Sequence, residues 1–237
     1  KTLETLLLPQ LITYVFYEND SDDGSLGMLH EFLDERQGAV IAETGLNLRY
    51  PLRTHRLAYC RNRILDYCRK TLRGADILCM MDMDDVNVKL DVGSVVKALR
   101  YRDHWDGITA NQSSYYYDLW ALRTKYKNNN CTTWCGLYNV GHFFNLNNLF
   151  TFSIPVEKPY FLRVRSAFGG LGMYQYDLAL EGEYNGVEFS NGKEECEHVA
   201  YHLSLARHKE KEKDQEKDQE KQQQPFRLFI APFLINH

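Results

Sequence analysis

Ile12 to Phe16 is an apolar, β-branched and aromatic run, and it stops at Glu18-Asn19-Asp20-Ser21-Asp22-Asp23-Gly24. That pattern predicts a strand closed by a polar turn. Leu26, Leu29, Phe32 and Leu33 then recur at helical spacing as far as Arg36, and Ala39 to Ala42 reads as a short buried strand. After a loop through Pro51, residues His55 to Leu72 place Leu57, Cys60, Ile64, Leu65 and Cys68 on one helical face. Arg56, Arg61, Arg63, Arg69 and Lys70 fall among the remaining positions. Asp76 to Met81 is a continuous apolar run after its first residue, which predicts a central parallel strand covered on both faces. It ends abruptly in Asp82-Met83-Asp84-Asp85. A further amphipathic helix is expected from Val92 to about Arg102, and a strand from Gly107 to Ala110. Strand and helix therefore alternate, which implies right-handed crossovers and an α/β fold with a mostly parallel sheet.

The second half is patterned differently. Tyr115 to Leu122, Tyr160 to Val164 and Gly172 to Tyr176 read as strands separated by Asn- and Gly-rich loops. Glu197 to Arg207 reads as a helix with Val199, Leu203 and Leu205 toward a core. From His208 to Gln224 the chain is almost wholly Lys, Glu, Asp and Gln, with EKDQ repeated, and a disordered loop is expected over a solvated single helix. Apolar sequence resumes at Phe226, so residues 208–224 read as a low-complexity insertion.

The 237 residues are 44% hydrophobic, 25% charged and 13% aromatic, a globular mixture with ample length for a core. A net charge of −4 argues against bulk binding to nucleic acid. No run reaches the roughly 20 apolar residues of a membrane span, and Lys1 opens without a signal peptide. Any membrane tether is expected to lie outside this sequence. Six scattered cysteines complete no zinc spacing; Cys131 and Cys135 are the one close pair, and buried thiols in a reducing cytosol are expected. Asn-x-Ser/Thr sequons begin at Asn19, Asn111 and Asn130, and the first falls in the candidate site, where a glycan would block access.

Asp82 and Asp84 stand where a buried strand ends, the edge at which open α/β sheets bind ligands. Carboxylates crowded there repel unless a cation lies between them, and hard oxygen donors favour Mg²⁺ or Mn²⁺ over softer metals. Glu18, Asn19, Asp20 and Ser21 end an earlier strand at the same edge. Arg61, Asn62 and Arg63 add forked donors suited to a diphosphate. Together these residues describe a metal-bridged nucleotide diphosphate site. A solvated turn with capping carboxylates is the plain alternative for each acidic cluster.

The ordered series YENDSDDGS, YCRNRILDYCR and ADILCMMDMDD resembles the nucleotide-binding half of GT-A glycosyltransferases, close to the family-2-like and fungal capsule mannosyltransferase-like branches. WDGITANQ, YYDLWALR, SAFGGLGMY and CEHVAYHLSL resemble the N-terminal glycosyltransferase domain of chlorella-virus glycan-synthesis proteins. The resemblance implies a single Rossmann-like GT-A domain over 1–237, its mostly parallel central sheet flanked by helices. The nucleotide-binding half would be 1–111 and a smaller, mixed acceptor-side half 112–237. It implies a UDP-sugar donor, a glycan or glycoprotein acceptor and a Mn²⁺ or Mg²⁺ cofactor.

By the same resemblance Asp82 and Asp84 hold the ion and ribose-diphosphate, and Glu18 and Asp20 contact uracil or ribose. Arg61 and Asn62 lie on the nucleotide side, and Phe168, Gly169 and Gly170 line donor sugar and acceptor. Glu197 is the candidate general base, and His198 or His202 completes the metal shell. It also implies a cytoplasmic protein, of the host if viral, and the Golgi lumen only with an anchor elsewhere. Relatives begin with a strand where Lys1 already opens in what resembles the following helix, so either the sequence is a fragment or another segment fills that place. Two other classes are carried beside the transferase: a metal-dependent phosphohydrolase or nucleotidyltransferase, and a non-catalytic carbohydrate-binding module whose Tyr115-Tyr116-Tyr117 and Trp120 stack on sugar rings.

Overall fold

A computed structural model describes residues 12–124, 154–156, 161–187, 192–215 and 225–237. The chain is α/β and falls into two compact units. The first is the chain up to Gly74 together with Tyr184–Glu197; the second is Ala75–Glu183 together with His198–His237.

In the first unit, β1 (Tyr14–Asn19) and β2 (Gly38–Glu43) pair in parallel, with helix α1 (Ser25–Leu33) between them in sequence. Register aligns Asn19 with Glu43, so both strands end together in polar residues. A short helix α2 (Leu46–Arg49) and the long α3 (Arg53–Thr71) follow. Helix α3 buries Thr54, Ala58, Arg61, Leu65 and Cys68, a stripe spaced by alternate steps of four and three. Arg61 thus lies on the buried face, not among the solvated cations where its charge alone would put it.

In the second unit, β3 (Ile77–Met81), α4 (Val92–Arg100) and β4 (Gly107–Asn111) follow as the alternation predicts. Asp91 caps α4 by accepting the Ser94 N–H at 2.8 Å. Then come β5 (Leu162–Val164), β6 (Leu171–Gln175), α5 (Tyr176–Leu180), α6 (Glu197–Gln215) and β7 (Leu228–Ile235). Helix α6 starts on Glu197, the last residue of the first unit, and otherwise belongs to the second.

The five-stranded sheet has the order β3-β6-β4-β7-β5 and is mixed, which corrects the mostly parallel expectation. Among the described residues of this sheet, β4 and β7 pair in parallel, while β6 runs antiparallel to both β3 and β4, and β5 to β7. The crossover through α4 leaves β3 and β4 one strand apart, and the buried residues Leu171 to Tyr174 fill that gap. Strand β3 therefore stands at the end of this sheet instead of its centre. Leu78 and Met80 are buried while Cys79 is exposed, so its apolar run covers one face and not two.

Tyr115 to Leu122 is no strand. The segment is irregular, meeting the sheet region through an isolated bridge from Arg123 to Ser166. Asp118 turns the chain there by accepting the Ala121 N–H at 3.3 Å. Residues 208–215 continue helix α6 where disorder was expected. Residues 216–224, Tyr160, Asn130, Cys131 and Cys135 lie outside the described residues. Among those described, Cys60, Cys68 and Cys196 are buried free thiols. Asn111 is wholly buried, its amide donating to the carbonyls of Ile154 and Pro232, so the folded chain hides that sequon. No helix among the described residues is long and apolar enough to cross a membrane.

Candidate functional site

Strand β3 ends at Met81, and the turn that follows is held from below by backbone and carboxamide groups. The Asp82 N–H donates to the Gly170 carbonyl at 3.0 Å. Asn87 donates to the carbonyls of Asp82 (2.8 Å) and Gly170 (3.0 Å). Asn236, wholly buried, donates to Asn87 Oδ1 at 2.8 Å and to the Gly169 carbonyl at 2.7 Å. Gln112 donates to that same carbonyl at 3.2 Å and to Asn236 Oδ1 at 3.0 Å. Asp118 accepts the Gly169 N–H at 2.9 Å. Buried polar groups carry a steep cost unless paired, so a network this connected specifies one geometry for the turn.

Within that frame Asp82 is half-buried, while Met83 and Asp84 are exposed. Asp84 accepts the Val86 N–H at 3.2 Å and starts a 3₁₀ turn over Asp85–Asn87. Gly169 and Gly170 both have positive φ, +67° and +86°. A methyl group on Gly170 would stand 2.5 Å from Val86 Cγ1, so glycine here lets the two turns close on each other. The Asp82–Asp84 turn and the Gly169–Gly170 turn therefore pack together, a contact the sequence reading did not anticipate. Asn87, Gln112, Asp118 and Asn236, which hold it, were not singled out from sequence, although Gln112 and Asp118 fall within the strings WDGITANQ and YYDLWALR.

Among the described residues no group of three His, Cys, Asp or Glu side chains is placed to hold a metal. Asp82 and Asp84 offer hard oxygens suited to Mg²⁺ or Mn²⁺, which commonly take one or two carboxylates and complete their shell with water and phosphate oxygens. His198 is buried, its ring stacked on Phe168 with centroids 3.6 Å apart, so the two residues form an aromatic layer behind the Gly169 turn.

His202, also buried, has Ser166 Oγ at 3.0 Å from Nδ1 and Tyr174 Oη at 2.9 Å from Nε2. Burial lowers its pKa from the ordinary 6.5 to about 3. Because the unfolded chain takes up that proton first, the residue's contribution to stability is complete above about pH 6.5. It falls by up to about 1.4 kcal/mol per pH unit as pH drops toward 3. Its ring signals in proton NMR are expected not to titrate between pH 8 and pH 5; a midpoint near the ordinary value would refute the buried, neutral placement.

The first unit carries its own polar cluster at the carboxyl ends of β1 and β2. Asp20, at φ +60°, accepts the N–H groups of Gly45, Leu46 and Asn47 and so caps α2. The Gly45 bond foremost, helped by Asn19 and the other two N–H groups, holds its carboxyl below the ordinary value. Glu18 accepts the Ser21 N–H at 2.9 Å. Glu43, unnoticed in the sequence although it ends β2 as Asn19 ends β1, accepts from Arg63 Nε and Tyr59 Oη, each at 3.0 Å. Burial alone would raise its carboxyl, but Arg63 with Tyr59 and Tyr17 keeps it below the ordinary value.

Arg61 and Asn62 are directed at the chain itself. Arg61 donates to Glu197, and the two are 6% and 4% exposed. Asn62 donates to the Tyr184 carbonyl at 2.9 Å and accepts its N–H at 2.8 Å. With Thr54, whose hydroxyl donates to the Gly186 carbonyl at 2.6 Å, they fasten the returning segment Tyr184–Glu197 along α3.

What fold and geometry define together is an α/β protein with a rigidly seated Asp-x-Asp turn at a strand end. The chain matches no family model, and a search of curated proteins finds no match either.

Proposed function

We propose that the chain is a metal-dependent glycosyltransferase of GT-A type, moving a sugar from a UDP-linked donor to a glycan hydroxyl. The observation that carries this reading is the Asp82-Met83-Asp84 turn, which leaves β3 with Asp84 exposed and its backbone locked to Gly170 through Asn87 and Asn236. Preorganised carboxylates of this kind suit Mn²⁺ or Mg²⁺ shared with a diphosphate, and the ion would neutralise charge on the departing UDP. Asp82 and Asp84 hold it, and the Gly169–Gly170 backbone keeps their turn from shifting when phosphate arrives. Asp20, Arg61, Asn62 and Glu197 have other work in the first unit, so this reading gives them scaffolding roles in place of substrate contact. Glu197 in particular, paired with Arg61 and buried, is not assigned as base.

Asp84→Asn tests the assignment cleanly, since an asparagine oxygen still accepts the Val86 N–H. Calorimetry is expected to find UDP binding that requires Mn²⁺ in the native protein and is weakened about 100-fold or more in the variant. Equal UDP affinity in the two proteins would remove the assignment. Incubation with UDP-sugars and with a generic phosphate ester, followed by identification of what is released, separates transfer from phosphohydrolysis.

A further inference from the structure

The irregular segment after β4 presents three large aromatic side chains to solvent: Tyr115 is 54% exposed, Tyr117 53% and Trp120 39%. Exposed aromatics so close together need an explanation, because each leaves a large apolar face in water. Mobility is a poor one. Tyr116 between them is buried at 2%, and the segment is pinned along its length. Ser113 donates through N–H and hydroxyl to the His237 carbonyl, both at 2.9 Å. The Tyr117 N–H donates to Gln112 at 3.4 Å, and Asp118 grips Gly169 and Ala121. The rings are thus displayed by a built scaffold, with little ordering left to perform on binding.

We propose that Tyr115, Tyr117 and Trp120 form a binding platform for a neutral oligosaccharide, the acceptor of the transferase reading on which this inference rests. The flat faces suit the C–H side of a sugar ring, and the phenol and indole tips can exchange hydrogen bonds with its hydroxyls. Residues 113–122 contain no Lys or Arg, and their one acid, Asp118, already accepts two backbone N–H groups. Arg123, the next residue, turns its Nη1 back onto the carbonyls of Trp120 and Leu122 at 2.8 and 2.9 Å, so its guanidinium is engaged by the backbone, and an uncharged, hydroxyl-rich ligand suits the aromatic faces better than a phosphate-bearing one. The platform is also coupled to the Asp-x-Asp turn: Gln112 and Asp118 bind Gly169, and the neighbouring Gly170 carbonyl accepts from Asp82.

The test uses linear tetrasaccharides of β-linked glucose, β-linked galactose and α-linked mannose, titrated calorimetrically into the whole chain without donor. At least one is expected to bind, and Tyr115→Ala, Tyr117→Ala and Trp120→Ala are each expected to weaken it about tenfold. Mn²⁺-dependent UDP affinity and the melting temperature are expected to stay unchanged in all three, because exposed rings carry little of the fold. Absence of binding by every tetrasaccharide, or binding indifferent to the three substitutions, overturns the platform. So does concentration-dependent self-association that the substitutions abolish, which would make the patch a contact between copies. Tetrasaccharide binding without any UDP binding keeps the platform and discards the transferase reading, so the two fail separately.

Discussion

Gly170→Ala is expected to destabilise the protein by roughly 2–5 kcal/mol, combining about 1–2 for a left-handed backbone with about 1–3 for overpacking. The backbone part follows from φ +86° and the packing part from the 2.5 Å approach of a new methyl to Val86 Cγ1. Two comparisons divide the total. Gly24→Ala has a similar φ of +82° but nothing within 4 Å of the added carbon, so it should report the backbone cost alone. Gly170→Ala combined with Val86→Ala should recover most of the packing cost, since the offending methyls are gone. Urea unfolding of the four proteins measures each difference. The proposed Mn²⁺-dependent UDP binding should fall with the single variant as well, because the Gly170 carbonyl receives the Asp82 N–H. A Gly170→Ala protein as stable as Gly24→Ala would show that the two turns do not close on each other as described.

The second large effect concerns Arg61. Arg61→Met is expected to cost about 3–5 kcal/mol, the usual penalty for removing one member of a buried ion pair while its opposite charge stays inside. The double variant Arg61→Met/Glu197→Leu should regain much of that loss, since the stranded charge is removed too. A third variant, Glu197→Gln, decides what Glu197 does. As an element of the scaffold, Glu197→Gln lowers the unfolding midpoint, and any fall in turnover tracks the fraction folded. As a general base it would abolish turnover while leaving the midpoint in place. Unfolding and initial-rate measurements on the same preparation distinguish the two, and an unchanged midpoint with lost activity would reverse the assignment made here.

The residues with the clearest local signatures were readable in advance. Asp82 and Asp84 could be placed at a strand end because five apolar positions break off at once, and β1, α3 and α4 fall within a few residues of their expected limits. Arg61 was not legible as a buried residue: its charge argued for solvent or a phosphate, and its place on the Thr54–Ala58–Leu65–Cys68 stripe shows only in the structure, where Glu197 supplies an opposite charge. Tyr115 to Leu122 misled for a definite reason. Aromatic alternation suits a strand, yet a strand also needs a neighbour, and here Asp118 spends its carboxylate on turning the chain.

Period and punctuation are local properties, so the alternation of strand and helix from β1 to β4, the abrupt polar ends of β1 and β3, and the α/β class all follow from neighbours along the chain. Partnership across the chain is of another kind. Asn236 reaches Asn87 across 149 positions and Gln112 across 124, and Arg61 reaches Glu197 across 136. The insertion of β6 between β3 and β4 likewise joins segments far apart in order. No short window of residues encodes such meetings: they arise when buried polar groups must find partners among whatever the folded topology brings near. That requirement turned three inconspicuous carboxamides into the support of the Asp-x-Asp turn and a conspicuous arginine into a fastening inside the first unit.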